Sequence, residues 1–228
     1  MISLDEETMA LFNQAAIFDG LSTDARKELA KSAVLKRYVK NEIVFQPDEP
    51  CDAFELVADG LVRVSRYSAL GKRLTYLLAG PGEPINLVGP FTGAPREYVA
   101  EAAQDASIIS INREAFTRFA FAHPQLIVNI INTLGYAVDS SNSRILDMLD
   151  KKVVGRLKRV LYTLLKKYGP ILNFTSVEIA ELAGTTTESA LRVLGDLRQD
   201  GIIEKRRGQI EILKPEVLAD PDGEAFWI

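Results

Sequence analysis

The stretch from Thr175 to Gln209 constrains the fold of this chain more than any other. Thr175 followed three residues on by Glu178 is a capping-box sequence, which predicts a helix start. Val177, Ile179, Ala180, Leu182 and Ala183 give that helix an apolar side, and Gly184 ends it. Thr185, Thr186 and Thr187 offer a second N-cap. Ala190, Val193, Leu194 and Leu197 then recur at helical spacing, so a second helix is predicted to bury against the first. Asp200-Gly201 closes it, and Lys205-Arg206-Arg207-Gly208 predicts a tight basic turn. Two short helices around a glycine, then a basic hairpin, form a helix-turn-helix with a wing. Such a unit lays one helix in the DNA major groove.

Glu188 and Arg192 sit one turn apart near the start of the second helix. Arginine can bond guanine O6 and N7, and glutamate can accept from cytosine N4. The predicted DNA contacts are Thr175, Thr186, Thr187, Glu188, Ser189, Arg192, Arg206, Arg207 and Gln209, the wing residues serving phosphate. Local alternatives stay open. Glu188 is also placed to complete a second capping box with Thr185, and Arg192 to pair with Glu188 on a solvated face.

Charge divides along the chain. Residues 151–214 hold 13 Lys/Arg against 7 Asp/Glu, whereas residues 1–150 hold 14 against 20. A basic module joined to an acidic one suits a DNA-binding domain carried by a sensor or interaction domain. The length of 228 residues is enough for two small domains. No run is long enough to span a bilayer and Met1-Ile2-Ser3-Leu4-Asp5 carries no signal-peptide pattern, so a cytoplasmic protein without membrane contact is expected. One cysteine, Cys51, rules out an internal disulfide, and one histidine, His123, argues against a His-rich metal site. Phosphate-loop, Gly-x-Ser-x-Gly and metal-ligand patterns are all missing, so no enzyme is expected.

Residues 4–16 read as a short helix, and Ser22 or Thr23 caps another running through Leu29 and Val34. From Leu35 to Ile111 short β-type runs alternate with turn signals such as Asp59-Gly60 and Pro81-Gly82, which argues a small barrel or sandwich. After Pro124 one long helix is predicted. Ile127, Ile131, Leu134, Val138, Ser141, Ile145 and Met148 step by alternating fours and threes along it, an a/d seam over three heptads. That seam reads as a parallel coiled-coil homodimer or as a helix packed on its own barrel. Asp150-Lys151-Lys152 reads as a hinge. The expected class is α+β, with an N-terminal β-roll of jelly-roll type (1–122), a dimerisation helix (123–150) and a C-terminal winged helix-turn-helix (151–228). The tail from Pro215 to Ile228 either packs on the last domain or frays.

In this order and size, these parts resemble the cyclic-AMP receptor protein/FNR family of bacterial transcription regulators. Phe54 to Val64, Pro124 to Arg156 and Thr175 to Gln209 carry the likeness. The resemblance implies a homodimer on a palindromic double-stranded DNA operator, with RNA polymerase as a further partner. It implies that Glu188 and Arg192 read a G·C pair in each half-site, and that Thr175 caps its helix and bonds a phosphate. Thr187 and Leu191 stand where parent members carry an Arg and a Ser, so neither parent operator is expected intact.

The effector pocket departs further. Asn86-Leu87 replaces the family's ribose-binding Gly-Glu. Arg96 is kept for the cyclic phosphate, but Glu97 replaces the following Ser and is expected to repel an anion and neutralise Arg96. These changes cost roughly several kcal/mol of binding. Ser141-Asn142 stands where a Thr-Ser pair reaches the adenine. The pocket, read as Asn86, Leu87, Arg96, Glu97, Ser141 and Asn142, is therefore expected not to take cyclic AMP. One cysteine also excludes an iron–sulfur cluster within the chain. Haem sensing of NO or CO through His123 or Cys51 remains an alternative, as does a nucleotide-domain-like module acting through protein contacts.

Overall fold

A computed structural model describes residues 4–219, with the side chains of 4–7 and 150 left aside. The elements run α1 (Leu4–Gln14), a 3-10 turn (Ala16–Phe18), α2 (Thr23–Ala30), β1 (Ala33–Tyr38), β2 (Ile43–Phe45), β3 (Ala53–Asp59), β4 (Val62–Tyr67) and β5 (Arg73–Ala79). They continue as β6 (Pro84–Asn86), α3 (Gly89–Thr92), β7 (Val99–Ala102), β8 (Ala106–Asn112), α4 (Arg113–Ala122), α5 (Pro124–Asp150), α6 (Val153–Tyr168) and β9 (Ile171–Leu172). The last are α7 (Ser176–Leu182), α8 (Thr187–Gln199), β10 (Ile203–Arg206), β11 (Gln209–Ile212) and a 3-10 turn (Pro215–Val217). The expected end of the tail, from residue 220 on, lies outside the described residues.

Two compact units result. The first holds the residues up to Arg66 and Leu77–Tyr136; the second holds Tyr67–Tyr76 and the chain from Ala137 on. Thus α5 is shared, and the residues joining β4 to β5 group with the C-terminal part.

In the first unit β1, β8, β3 and β6 form one four-stranded sheet, and β2, β7, β4 and β5 order into another. Alternation along β3 and β8 puts Phe54, Leu56, Ile109 and Ile111 on one face of the first sheet and Glu55, Val57 and Ile108 on the other. Helices cover the first sheet. Phe54 on β3 stacks on Phe116 of α4 at 4.0 Å, and Phe12, Phe18 and Leu126 join the same core. Gly60, at φ +80°, makes the β3–β4 turn, where a β-carbon would overlap the carbonyl oxygen of Asp105.

Two details differ from the expectation. The second helix stops at Ala30, and Val34 lies exposed in β1, because Ala33–Tyr38 pairs antiparallel with Tyr38↔Ala106 through Ala33↔Ile111 of β8. Helix α4 was not anticipated; Asn112 caps it by accepting from the amides of Glu114 and Ala115, and Phe116, Phe119 and Ala120 form its buried side.

In the second unit the long helix breaks at Lys151-Lys152, and α6 resumes, burying Leu157, Val160, Leu161 and Leu164. Strands β10, β11 and β9 form a three-stranded antiparallel sheet. Among the described residues no helix is long and apolar enough to cross a membrane.

Gly60→Ala is expected to destabilise the first unit by upward of ~1–2 kcal/mol, from left-handed backbone strain plus the clash. Urea unfolding measures it; a variant as stable as the parent contradicts the turn assignment.

Candidate nucleic-acid interface and effector pocket

Thr175 closes the capping box read from the sequence. Its hydroxyl accepts from the Glu178 amide at 3.3 Å, and its own amide donates to Glu178 Oε2 at 2.7 Å. The same hydroxyl also donates to Glu178 Oε2 at 2.8 Å. Gly184 turns the chain at φ +60°. Thr186 then caps α8, accepting from the Ser189 amide at 3.2 Å and donating to Ser189 Oγ at 3.0 Å. Ala190, Val193, Leu194 and Leu197 are buried, as their spacing predicts.

Because Thr186 and not Thr185 is the cap, Glu188 is left out of any capping box. Glu188 and Arg192 are both exposed, and among the described residues neither has an ion pair. Thr187 and Leu191 are exposed beside them. The outer face of α8 thus offers one carboxylate and one guanidinium, both free to meet base edges.

Arg206 and Arg207 stand exposed at the tip of the β10–β11 hairpin, where Gly208 at φ +72° makes the turn. Gln209 is half-buried and donates to Asn173 Oδ1 at 3.0 Å, so its amide is engaged inside the domain. Arg198 of α8 pairs with Glu204 of β10 at 3.3 Å and fastens the wing to the helix.

On α5, Ile131, Val138 and Ile145 are 61%, 57% and 57% exposed, at intervals of seven residues. Val128, Met148 and Leu149 extend this apolar surface. Ile127 and Leu134 are half-buried against the core of the first unit. Ser141 is exposed, and its hydroxyl donates to the Ala137 carbonyl at 2.8 Å. Asn142 lies exposed next to it, and both belong to the second unit.

The pocket residues of the first unit make a closed set of bonds. Arg96 is buried, and its two terminal nitrogens donate to the two carboxylate oxygens of Glu55 at 3.0 and 2.7 Å. The ring of Phe45 lies 3.8 Å from the guanidinium carbon. Burial pushes the Glu55 carboxyl above its usual range, opposed by the hydrogen bonds and charge of Arg96. The group that neutralises Arg96 is therefore Glu55, from β3, and not Glu97. Glu97 points to solvent and meets Arg66 at 3.4 Å. No local pattern signals this pair, because the two residues lie 41 positions apart.

Leu87 is buried in the apolar core. Asn86 donates to Cys51 Sγ at 2.8 Å and accepts from the Gly89 amide at 3.1 Å. Cys51 is buried, and burial pushes its thiol up, disfavouring a thiolate. His123 stacks on Phe119 and holds its carbonyl through Nδ1 at 3.0 Å. Leu87 offers no acceptor, and the guanidinium is already paired.

A model of the cyclic nucleotide-binding domain matches residues 35–123, and one of the Crp-like helix-turn-helix domain matches residues 155–220. The chain is 28% identical over 209 residues to the cyclic AMP receptor protein of Thermus thermophilus, covering 90% of this chain and 95% of that one. It is 23% identical over 214 residues to the CRP-like cAMP-activated global transcriptional regulator of Mycobacterium tuberculosis, covering 90% and 96%. The solved structure of the c-di-GMP responsive global regulator CLP of Xanthomonas campestris matches with a TM-score of 0.74 at 21% identity, over 84% of this chain and 99% of that one. At that identity the likeness is one of fold.

Glu55→Ala leaves Arg96 buried and unpaired. A loss of about 3–5 kcal/mol in unfolding free energy is expected. A change below about 1 kcal/mol would show that Arg96 does not depend on this pair.

Proposed function

The chain belongs to the cyclic-AMP receptor protein/FNR family of transcription regulators, and from that premise we propose that it is a homodimeric, sequence-specific DNA-binding regulator controlled by an effector other than cyclic AMP. The observation that carries the reading is the outer face of α8, where Glu188 and Arg192 are exposed and, among the described residues, free of partners. An arginine on a solvated structural face commonly finds an i,i+4 carboxylate; here the carboxylate is in place and the pair is not made. Arg206 and Arg207 supply the charge that meets phosphate on either side of a groove.

Dimerisation is supported by the apolar line on α5. β-Branched side chains recur there every seven residues with most of their surface in water, a pattern that a second helix of the same kind covers. Two recognition helices then stand about 34 Å apart, one DNA turn, and call for a palindromic operator with a G·C pair in each half. RNA polymerase and a cytoplasmic setting follow from the same role.

The departure from cyclic AMP rests on the Glu55–Arg96 pair and on Leu87. A cyclic phosphate has to displace a bidentate carboxylate from a buried guanidinium, and the ribose finds no acceptor. Relatives are named for different signals, cyclic AMP for the Mycobacterium tuberculosis protein and c-di-GMP for the Xanthomonas campestris one, so the fold does not dictate the ligand. For haem, neither ligand candidate is well disposed. Cys51 is buried with a raised pKa, and His123 has one ring nitrogen engaged by its own helix.

Arg192→Ala is expected to remove specific binding, at about 1–3 kcal/mol per half-site, while the protein stays dimeric. A mobility-shift titration checks it, and unchanged operator affinity contradicts the assignment of α8. Val138→Glu places two charges in the proposed seam and is expected to yield monomers in sedimentation at micromolar protein. A variant that still sediments as a dimer refutes that seam.

A further inference from the structure

Where α5 gives way to α6, three arginine side chains gather, and one of them lies at the centre. Arg144 of α5 is buried, and its guanidinium donates to three backbone carbonyls. One nitrogen reaches Tyr76 at 3.3 Å; the other reaches Thr75 at 2.9 Å and Leu182 at 2.8 Å. Thr75 and Tyr76 lie on β5, and Leu182 is the last residue of α7. All of them belong to the second unit. Desolvation lowers the Arg144 pKa to about 10, with Asp147 opposing, so the side chain still carries its charge at neutral pH.

The carbonyls at the end of α7 have no partners within the helix and form the negative end of its dipole. Two arginines meet them. Arg144 takes Leu182, and Arg156 of α6 takes Ala183 at 3.1 Å while also holding the Lys151 carbonyl at 2.9 Å. Across the break, Arg159 of α6 ties back to α5 through Asp147 at 2.7 Å and Ser143 at 2.6 Å. Gly184 follows at once, where a β-carbon would lie 2.7 Å from the Met148 methyl. Four residues separate Leu182 from Thr187, the first residue of α8. The direction of the recognition helix is therefore set where α7 ends.

We propose that Arg144 is the positioning residue of the DNA-binding unit: it fixes the angle between the dimer helix and the recognition helix, and through it the spacing between the two half-sites. This rests on the reading of the chain as a homodimeric DNA-binding regulator. The planar fork is what the role requires. One guanidinium bridges three acceptors on two elements, whereas a lysine offers a single nitrogen. A hydrophobic residue of similar volume avoids the desolvation of a buried charge, and what it lacks is the directional hold on the Leu182 carbonyl. The same guanidinium grips β5, so a shift of the hairpin at residues 67–76 reaches α7 through this side chain.

The test is selection and sequencing of random DNA duplexes by the full chain, with Arg144→Met, Arg144→Lys and a control, Leu164→Ala. Leu164 is fully buried in α6 and makes none of the bonds to the end of α7, so its truncation lowers stability while leaving those bonds in place. The parent is expected to enrich one half-site sequence at a single spacing. Both Arg144 variants are expected to keep the half-site sequence and spread over several spacings, losing about tenfold or more of the preference for the paired site. Leu164→Ala is expected to keep the single spacing. Arg144→Lys retains charge and length, so it serves if the methionine variant does not fold. A single parental spacing in the Arg144 variants, or equal broadening in Leu164→Ala, overturns the proposal. A parent that enriches isolated half-sites refutes the dimer instead, and one that enriches nothing refutes DNA recognition; either removes the proposal with it.

Discussion

Arg96 leaves water, and only its partners offset that cost. Glu55 meets both terminal nitrogens, and the Phe45 ring lies against the guanidinium carbon. The pair joins β3 to the segment ahead of β7, between two sheets whose other interior residues are mostly apolar. A buried charge in such surroundings is tolerable only when its hydrogen bonds are complete. Here the protein completes them itself.

The same demand organises the second unit. Arg144, Arg156 and Arg159 each find carbonyl or carboxylate acceptors around the break between α5 and α6. Apolar packing alone permits α6 and α7 many small slides against α5. Directional bonds to Leu182, Ala183, Asp147 and Ser143 select one arrangement. The recognition helix inherits its orientation from that choice. Its outer face is left with few internal bonds, which suits a surface meant to meet bases.

Local signals in the sequence were enough for the parts that close over short distances. The Thr175–Glu178 capping box, the Gly184 turn, the buried side of α8 and the wing are all patterns of fewer than a dozen residues, and each is present. The strand register and the Glu55–Arg96 pair were not legible. They join residues tens of positions apart, and Glu55 sits in an otherwise apolar run that reads as plain strand. Glu97, adjacent to Arg96 in sequence, was the natural suspect, but it turns to solvent and meets Arg66 instead. The heptad pattern of α5 mixes two surfaces: Ile127 and Leu134 pack on the barrel core, while Ile131, Val138 and Ile145 remain outside. Periodicity finds a helix face but does not say which neighbour covers it.

The central claim is a regulator that recognises DNA through α8 without cyclic AMP. Sequencing the genomic DNA fragments retained by the full-length protein, with and without added cyclic AMP, tests this most directly. One palindromic motif with a G·C pair in each half is expected, enriched equally in both conditions. A motif that emerges only when cyclic AMP is present, or retained fragments that share no palindrome, would contradict it.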